Sequence, residues 1–207
     1  NCGVLTVVQS PAPGTVLSAD QVVTITATDI YGNVNSCNFT VFIADSTSPA
    51  VTCPPDQNVF FNASCQYALL DYTPLVVSSD NCGAVTITQS PVAGTIILTT
   101  QTVTITADDG NGNLSTCSFD VIPTDNVAPT LICPPDENVS FDANCQFTLL
   151  DYTGLAFTTD NCGPITVTQS PVMGTIITGT TTVTLTATDG AGNFSTCTFD
   201  VIPADNT

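Results

Sequence analysis

One pattern, repeated at a fixed interval, constrains this chain more than any other. Residues 102–122, TVTITADDGNGNLSTCSFDVI, have close relatives beginning at Val22 and Thr182. Cys37, Cys117 and Cys197 are 80 residues apart, as are Cys2, Cys82 and Cys162, and Cys53 with Cys133 and Cys65 with Cys145 keep the same interval. An unbroken period of this size marks an array of equivalent modules, not one large core. Register divides the chain into the carboxy-terminal part of a module (1–45) and two whole modules (46–125 and 126–205), with 206–207 opening the next linker. Asn1-Cys2-Gly3 aligns with Asn81-Cys82-Gly83, so the segment is expected to begin mid-module, within a longer protein.

Within the repeated pattern, Val103, Ile105 and Ala107 alternate with threonines, and Cys117, Phe119 and Val121 alternate with Ser118, Asp120 and Ile122. A period of two predicts two strands, each with one apolar face. Asp109 and Gly112 take the first and fourth places of a type I turn between them, repeated by Asp29 with Gly32 and Asp189 with Gly192. Upstream, Val51, Cys53-Pro54-Pro55, Val59 and Phe61 read as an edge strand broken by prolines. Residues 65–72 read as a strand whose apolar residues fall on both faces, 85–89 as a strand, and 95–98 as a further short one. No helical periodicity appears. Six or seven short strands with Gly, Pro and Asp turns predict an all-β fold, an immunoglobulin-like β-sandwich in each module.

Composition narrows the function. The chain has seventeen Asp, one Glu (Glu137), and no Lys, Arg or His, for a formal net charge of −18. No side-chain salt bridge can form, so each carboxylate must be solvated, hydrogen-bonded to N–H or O–H groups, or neutralised by a cation. Nucleic-acid binding is excluded, because neutralising phosphates takes cationic side chains. With no apolar run of spanning length, no membrane insertion is expected in this segment. Four cysteines per whole module without histidine or CxxC spacing point to disulfides instead of zinc, and hence to an extracellular or cell-surface setting. They would staple modules too small to bury a large core.

At Pro49, Cys53-Pro54, Asp80-Asn81-Cys82-Gly83, Gly94, residues 103–107, Asp109, Gly112-Asn113, Cys117 and Phe119, the modules resemble hyalin repeat (HYR) domains. The likeness spans both whole modules and reaches the partial one through Asp29, Gly32-Asn33 and Cys37. It implies an immunoglobulin-like fold and extracellular adhesion in place of catalysis. Long acidic arrays with four cysteines per copy are also similar to the giant surface adhesins of gliding and related Bacteroidota. Four cysteines allow three connectivities per module. The resemblance implies that the outer two pair, Cys53 with Cys117 and Cys133 with Cys197, and the inner two form a second bridge, Cys65 with Cys82 and Cys145 with Cys162. Cys2 and Cys37 would then have partners upstream.

Enzymatic function finds no support: there is no His or Lys, and the adjacent Asp108 and Asp109 read as a solvated hairpin tip, since Thr188 replaces Asp108 in the third copy. A stronger candidate is calcium at the module junctions. In such a sandwich the interstrand loop and the last hairpin turn lie at the pole where the preceding module arrives. This gathers Asp45, Asp80 with Asn81, and Asp109 at the first junction, and Asp125 with Asn126, Asp160 with Asn161, and Asp189 at the second. Hard oxygen donors from several loops suit Ca2+; the alternative is that Asp and Asn cap turns and nothing more. Five sequons, at Asn38, Asn62, Asn113, Asn138 and Asn193, are expected by chance in so Asn-, Ser- and Thr-rich a chain. Threonine-rich faces fit solvated strands.

These features lead to a structural stalk of a long adhesin or filament, whose partners here are neighbouring modules of the same chain and whose extracellular surface or glycan ligand is met elsewhere. A ligand-binding module using its polar loops is the alternative, and an accessory domain of a secreted hydrolase a remote one. One consequence is directly measurable. Trypsin should leave the denatured, reduced chain at full mass on an electrophoresis gel, because it has no Lys or Arg to cut after.

Overall fold

A computed structural model describes residues 3–205, and Cys2 lies outside them. The first 45 residues supply three strands, β1 (Thr6–Ser10), β2 (Gln21–Thr28) and β3 (Val34–Val41), in one antiparallel sheet of that order. The second repeat supplies eight: β4 (Ala50–Thr52), β5 (Gln57–Phe60), β6 (Tyr67–Ala68), β7 (Val77–Ser79), β8 (Thr86–Ser90), β9 (Ile96–Ile97), β10 (Gln101–Asp108) and β11 (Leu114–Thr124). The third repeats them as β12 (Thr130–Ile132), β13 (Glu137–Ser140), β14 (Phe147–Thr148), β15 (Phe157–Thr159), β16 (Thr166–Ser170), β17 (Ile176–Ile177), β18 (Thr181–Thr188) and β19 (Phe194–Ala204). By contacts the chain groups into two compact units. One holds the chain up to Val51 with Val77–Ile87 and Thr106–Thr116; the other holds Thr52–Val76, Thr88–Ile105 and the chain from Cys117 onward.

Each full repeat has a four-stranded sheet, β5-β11-β10-β8 or β13-β19-β18-β16, and two two-stranded sheets, β4-β7 with β6-β9 or β12-β15 with β14-β17. The fold is all-β, an immunoglobulin-like sandwich. The proline-broken strand of the sequence proves to be two strands in different sheets. β4 pairs with β7, and after Pro54-Pro55 the chain crosses so that β5 runs parallel to β11 at the edge of the larger sheet. Proline lacks the N–H that a continuous ladder requires, so the crossing falls where the ladder must stop anyway.

The ambiguous run 65–72 also resolves. Only Tyr67–Ala68 is strand; Leu69 and Tyr72 point inward at 2% and 3% exposure while Leu70 is exposed. The inward residues are three apart, not two, because the chain leaves extended geometry and enters a 3₁₀ turn at Thr73–Leu75. Gln89 clips this bend: its Oε1 accepts the Tyr72 N–H at 2.7 Å, and its Nε2 donates to Leu70 O and Pro91 O. Gln169 repeats every contact at Tyr152, Leu150 and Pro171.

The alternating faces meet as expected. In the third repeat Val183, Leu185, Phe199 and Val201 pack on Leu149, Tyr152 and Ile177, with Tyr152 meeting Phe199 edge-on at 5.1 Å between ring centres. Bridges Cys53–Cys117 and Cys133–Cys197 join the residue just before each proline crossing to β11 and β19. Closing a loop of 64 residues removes unfolded-state entropy of about 4 kcal/mol. In the β1–β3 sheet the counterpart of the buried Phe119 and Phe199, Phe39, is 53% exposed. Leu185 is wholly buried, so Leu185→Ala should lower the unfolding free energy by about 2–5 kcal/mol, measured by urea denaturation of the full chain.

Candidate functional site

Two clusters of three aspartates form from the same places in successive repeats. Carboxylate oxygens of Asp45, Asp80 and Asp109 lie within 4.8 Å of one another, and those of Asp125, Asp160 and Asp189 do the same. Each trio draws on the segment before a proline, the loop preceding a DNCG cysteine, and the hairpin turn. Both prolines, Pro49 and Pro129, are buried, so the incoming segment is held by packing as well as by its restricted φ.

Local hydrogen bonds explain how the carboxylates are aimed. Asp45 Oδ1 accepts Thr47 N, Asp80 Oδ2 accepts Cys82 N, Asp125 Oδ1 accepts Val127 N and Asp160 Oδ2 accepts Cys162 N, at 2.9–3.1 Å. Each is an Asx turn, in which the side chain engages the backbone two residues on. One oxygen is thereby tied, and the other is turned inward. Asp45 Oδ2, Asp80 Oδ1, Asp125 Oδ2 and Asp160 Oδ1 are all buried without a hydrogen-bond partner, and so is Asn161 Oδ1. Buried, unpaired carboxylate oxygens are costly, and native structures seldom keep them without a ligand.

The turn aspartates are held differently. Asp189 Oδ1 accepts Ala191 N and Asn193 N, both at 2.8 Å, and its Oδ2 accepts Asn193 Nδ2. Gly192 takes a positive φ, 93°, which a residue without a side chain adopts without strain. Asn193 Nδ2 also donates to Asp125 O at 3.3 Å, tying the incoming segment to the turn, and Asn113 does the same between Asp109 and Asp45. The sequence names Asn113 only through the family resemblance and as a sequon, and Asn193 only as a sequon, with no part in the junction. The available signal was an Asp followed four residues later by Asn in all three copies of the turn, Asp29 with Asn33 included.

The asparagines beside the clusters divide. Asn161 donates to Asp125 Oδ1 and to Asn62 O, and its own Oδ1 is the unpaired atom noted above. Asn81 is exposed and donates to Cys82 Sγ; Asn126 is exposed.

The inner cysteines depart from the expected pairing. Cys65 is bonded not to Cys82 but to Cys162, in the next repeat, and Cys145 is not bonded to Cys162; Cys37, Cys82 and Cys145 are free and exposed. The reason is spatial. The turn at 62–66 meets the Asp160–Cys162 loop, as the Asn161 bond to Asn62 O also records, whereas Cys82 sits in the loop gathered with Asp45 and Asp109.

No protein-family model matches the chain, and no curated protein does. Among solved structures it is similar to the EC1-4 region of PcdhgB3, at 16% identity over 98% of this chain and 67% of that one, with a TM-score of 0.42. An I-band fragment from titin aligns at 9% identity over 97% of this chain and 88% of that one, TM-score 0.47. Drosophila N-cadherin EC1-4 aligns at 14% over 91% and 58%, TM-score 0.40. Among the described residues no helix is long and apolar enough to cross a membrane.

Protonation offers a check on the turns. Burial pushes the Asp189 carboxyl up, but hydrogen bonds from the Asn193 side chain and from the backbone of Asn193, Ala191 and Gly192 outweigh it and hold the group below the ordinary 3.8. The Asn113 side chain leads the same effect at Asp109. A carboxyl depressed in the folded state contributes stability that is present above the unfolded value and is lost as pH falls through the lower, folded one. In chelator, the urea midpoint should therefore drop as pH falls below about 3.8, and should drop less in Asp109→Asn with Asp189→Asn.

Proposed function

We propose that the segment is a structural stalk of a long extracellular adhesin or filament of the hyalin-repeat type, in which rigid modules are joined end to end. The observation that carries this reading is the Cys65–Cys162 bridge, which ties one repeat to the next through a covalent bond between residues 97 apart in sequence. A bond between repeats resists separation in a way that a bond within one does not. Disulfides persist in oxidising surroundings, which favours a secreted or cell-surface location. The acidic composition and the four cysteines per repeat, which resemble those of large bacterial surface adhesins, favour the same reading.

The same reading assigns Ca2+ to the aspartate clusters. Two oxygens on one calcium ion, each about 2.3–2.6 Å from it, lie no more than about 5 Å apart. The trios meet that limit. Their inward oxygens have no protein donor, and the chain has no cationic side chain to supply one. Asp125, Asp160, Asp189 and the Asn161 carbonyl would hold one ion, and Asp45, Asp80 and Asp109 the other. The ion would neutralise carboxylates that otherwise repel one another, and would fasten the segment before each proline to two loops of the following module.

Calorimetric titration of the full chain with Ca2+ should show binding, and Asp125→Ala with Asp160→Ala should remove one of two sites. Small-angle scattering should show greater flexibility in chelator than in calcium. No heat of binding, with identical scattering in calcium, chelator and the double variant, would remove calcium and leave the aspartates as turn caps.

A further inference from the structure

Two of the free cysteines, Cys145 and Cys82, occupy the same local geometry as Cys65 and Cys162, which form the bridge between repeats. Cys65 and Cys145 both have positive φ, 55° and 57°, an unusual backbone state for a residue with a side chain. Each closes the same turn. Cys65 N donates to Asn62 O and Asn62 N to Gln66 O, and Cys145 N donates to Asp142 O and Asp142 N to Gln146 O, at matching distances of 3.0 and 2.8 Å. The side-chain oxygen of Asn62 accepts Ser64 N and Gln66 N, and that of Asp142 accepts Asn144 N and Gln146 N. The correspondence holds for the other pair. Cys82 N and Cys162 N each donate to the aspartate two residues back at 2.9 Å, and Asn81 and Asn161 each donate to the adjacent sulfur.

Among the described residues there is thus one complete bridge of this kind, turn cysteine to loop cysteine of the next repeat, and two halves. The complete bridge buries its loop cysteine, Cys162, to 8% exposure, whereas the loop cysteine Cys82 and the turn cysteine Cys145 stand exposed as thiols. A thiol held in the backbone geometry of a bonded cysteine needs only a partner, because the conformational ordering that a disulfide requires is already in place.

We propose that Cys145 and Cys82 are the two ends of a disulfide ladder, Cys145 pairing with the loop cysteine of a following repeat of this kind and Cys82 with the turn cysteine of a preceding one. This rests on the stalk reading, and it makes every junction covalent. Each rung forms when two thiols lose two protons and two electrons to a donor disulfide, which leaves as a dithiol or as two thiols. Cys37 is outside the ladder; its counterparts Cys117 and Cys197 are bonded within their own repeats.

The test uses the full chain, and the full chain lengthened in register by a copy of residues 128–205 after Thr207. Both are refolded in oxidised and reduced glutathione, alkylated, digested with pepsin and mapped by mass without reduction. In the 207-residue chain, Cys65–Cys162 is found and Cys145 is alkylated or carries glutathione. In the lengthened chain Cys145 is bonded to the copy's counterpart of Cys162, Cys82 stays modified, and the copy's counterpart of Cys145 becomes the new free thiol. A Cys145→Ser version frees the copy's loop cysteine and leaves the other bridges intact. Cys145 still modified in the lengthened chain, or bonded to Cys82 or Cys162, overturns the ladder while the stalk reading stands. Cys65 found with Cys82 in the unlengthened chain removes the inter-repeat bridge itself, and the stalk reading falls with it.

Discussion

A chain with 18 carboxylates and no cationic side chain must satisfy its negative charge from the backbone, from hydroxyl and amide groups, or from outside. Much of the local structure is the working-out of that constraint. Asp29, Asp109 and Asp189 build hairpin turns from their neighbours' N–H groups. Asp71 and Asp151 start the 3₁₀ turns by accepting both the N–H and the hydroxyl of Thr73 and Thr153. Asp56 and Asp136 take the N–H of Asp120 and Asp200 from the neighbouring strand, and those residues in turn accept the hydroxyls of Thr102 and Thr182. Against this background the inward oxygens of Asp45, Asp80, Asp125 and Asp160 stand out, because among the described residues no hydrogen-bond donor meets them.

The acidic clusters and the bridge between repeats share a loop. Asp160 accepts the N–H of Cys162, so the residue that would hold a cation also fixes the backbone of the cysteine that closes the inter-repeat disulfide. Asn161, between them, touches Asp125 on one side and Asn62 on the other. Three consecutive residues, Asp160-Asn161-Cys162, therefore carry a hydrogen-bonded and a covalent link beside the proposed cation site. An ion at the cluster and a disulfide at the loop would reinforce one another, since each removes freedom that the other would otherwise have to restrict.

The repeats also serve as controls on one another. Pro74 in one 3₁₀ turn is Gly154 in the other, and both turns form with the same Asp–Thr hydrogen bonds and the same glutamine clip, so the bend does not require proline. Asn62 is replaced by Asp142 with the turn hydrogen bonds intact, because either side chain offers the accepting oxygen. Asp108, replaced by Thr188, caps only Gly110 N at the hairpin tip.

The sequence by itself determined the period, the strand pair with its buried face at Val103, Ile105 and Ala107, the Asp–Gly turn, the outer disulfides once a family resemblance was admitted, and which carboxylates come together. The period, the strands and the turn follow from alternation and from turn chemistry over four residues, which act within one repeat; the outer disulfides follow from the resemblance, and the carboxylate trios from the order of loops where one repeat meets the next. Tertiary structure alone decided where the chain crosses between sheets at Pro54-Pro55, which way Leu69, Leu70 and Tyr72 face, and that Asn113 and Asn193 fasten the incoming segments. It also decided the partner of Cys65. Cys82 and Cys162 occupy the same place in the repeat, one period apart, and a periodic sequence gives them the same surroundings along the chain. Only the meeting of one repeat's turn with the next repeat's loop brings Cys162 to a Cα distance of 5.0 Å from Cys65, within the reach of a disulfide.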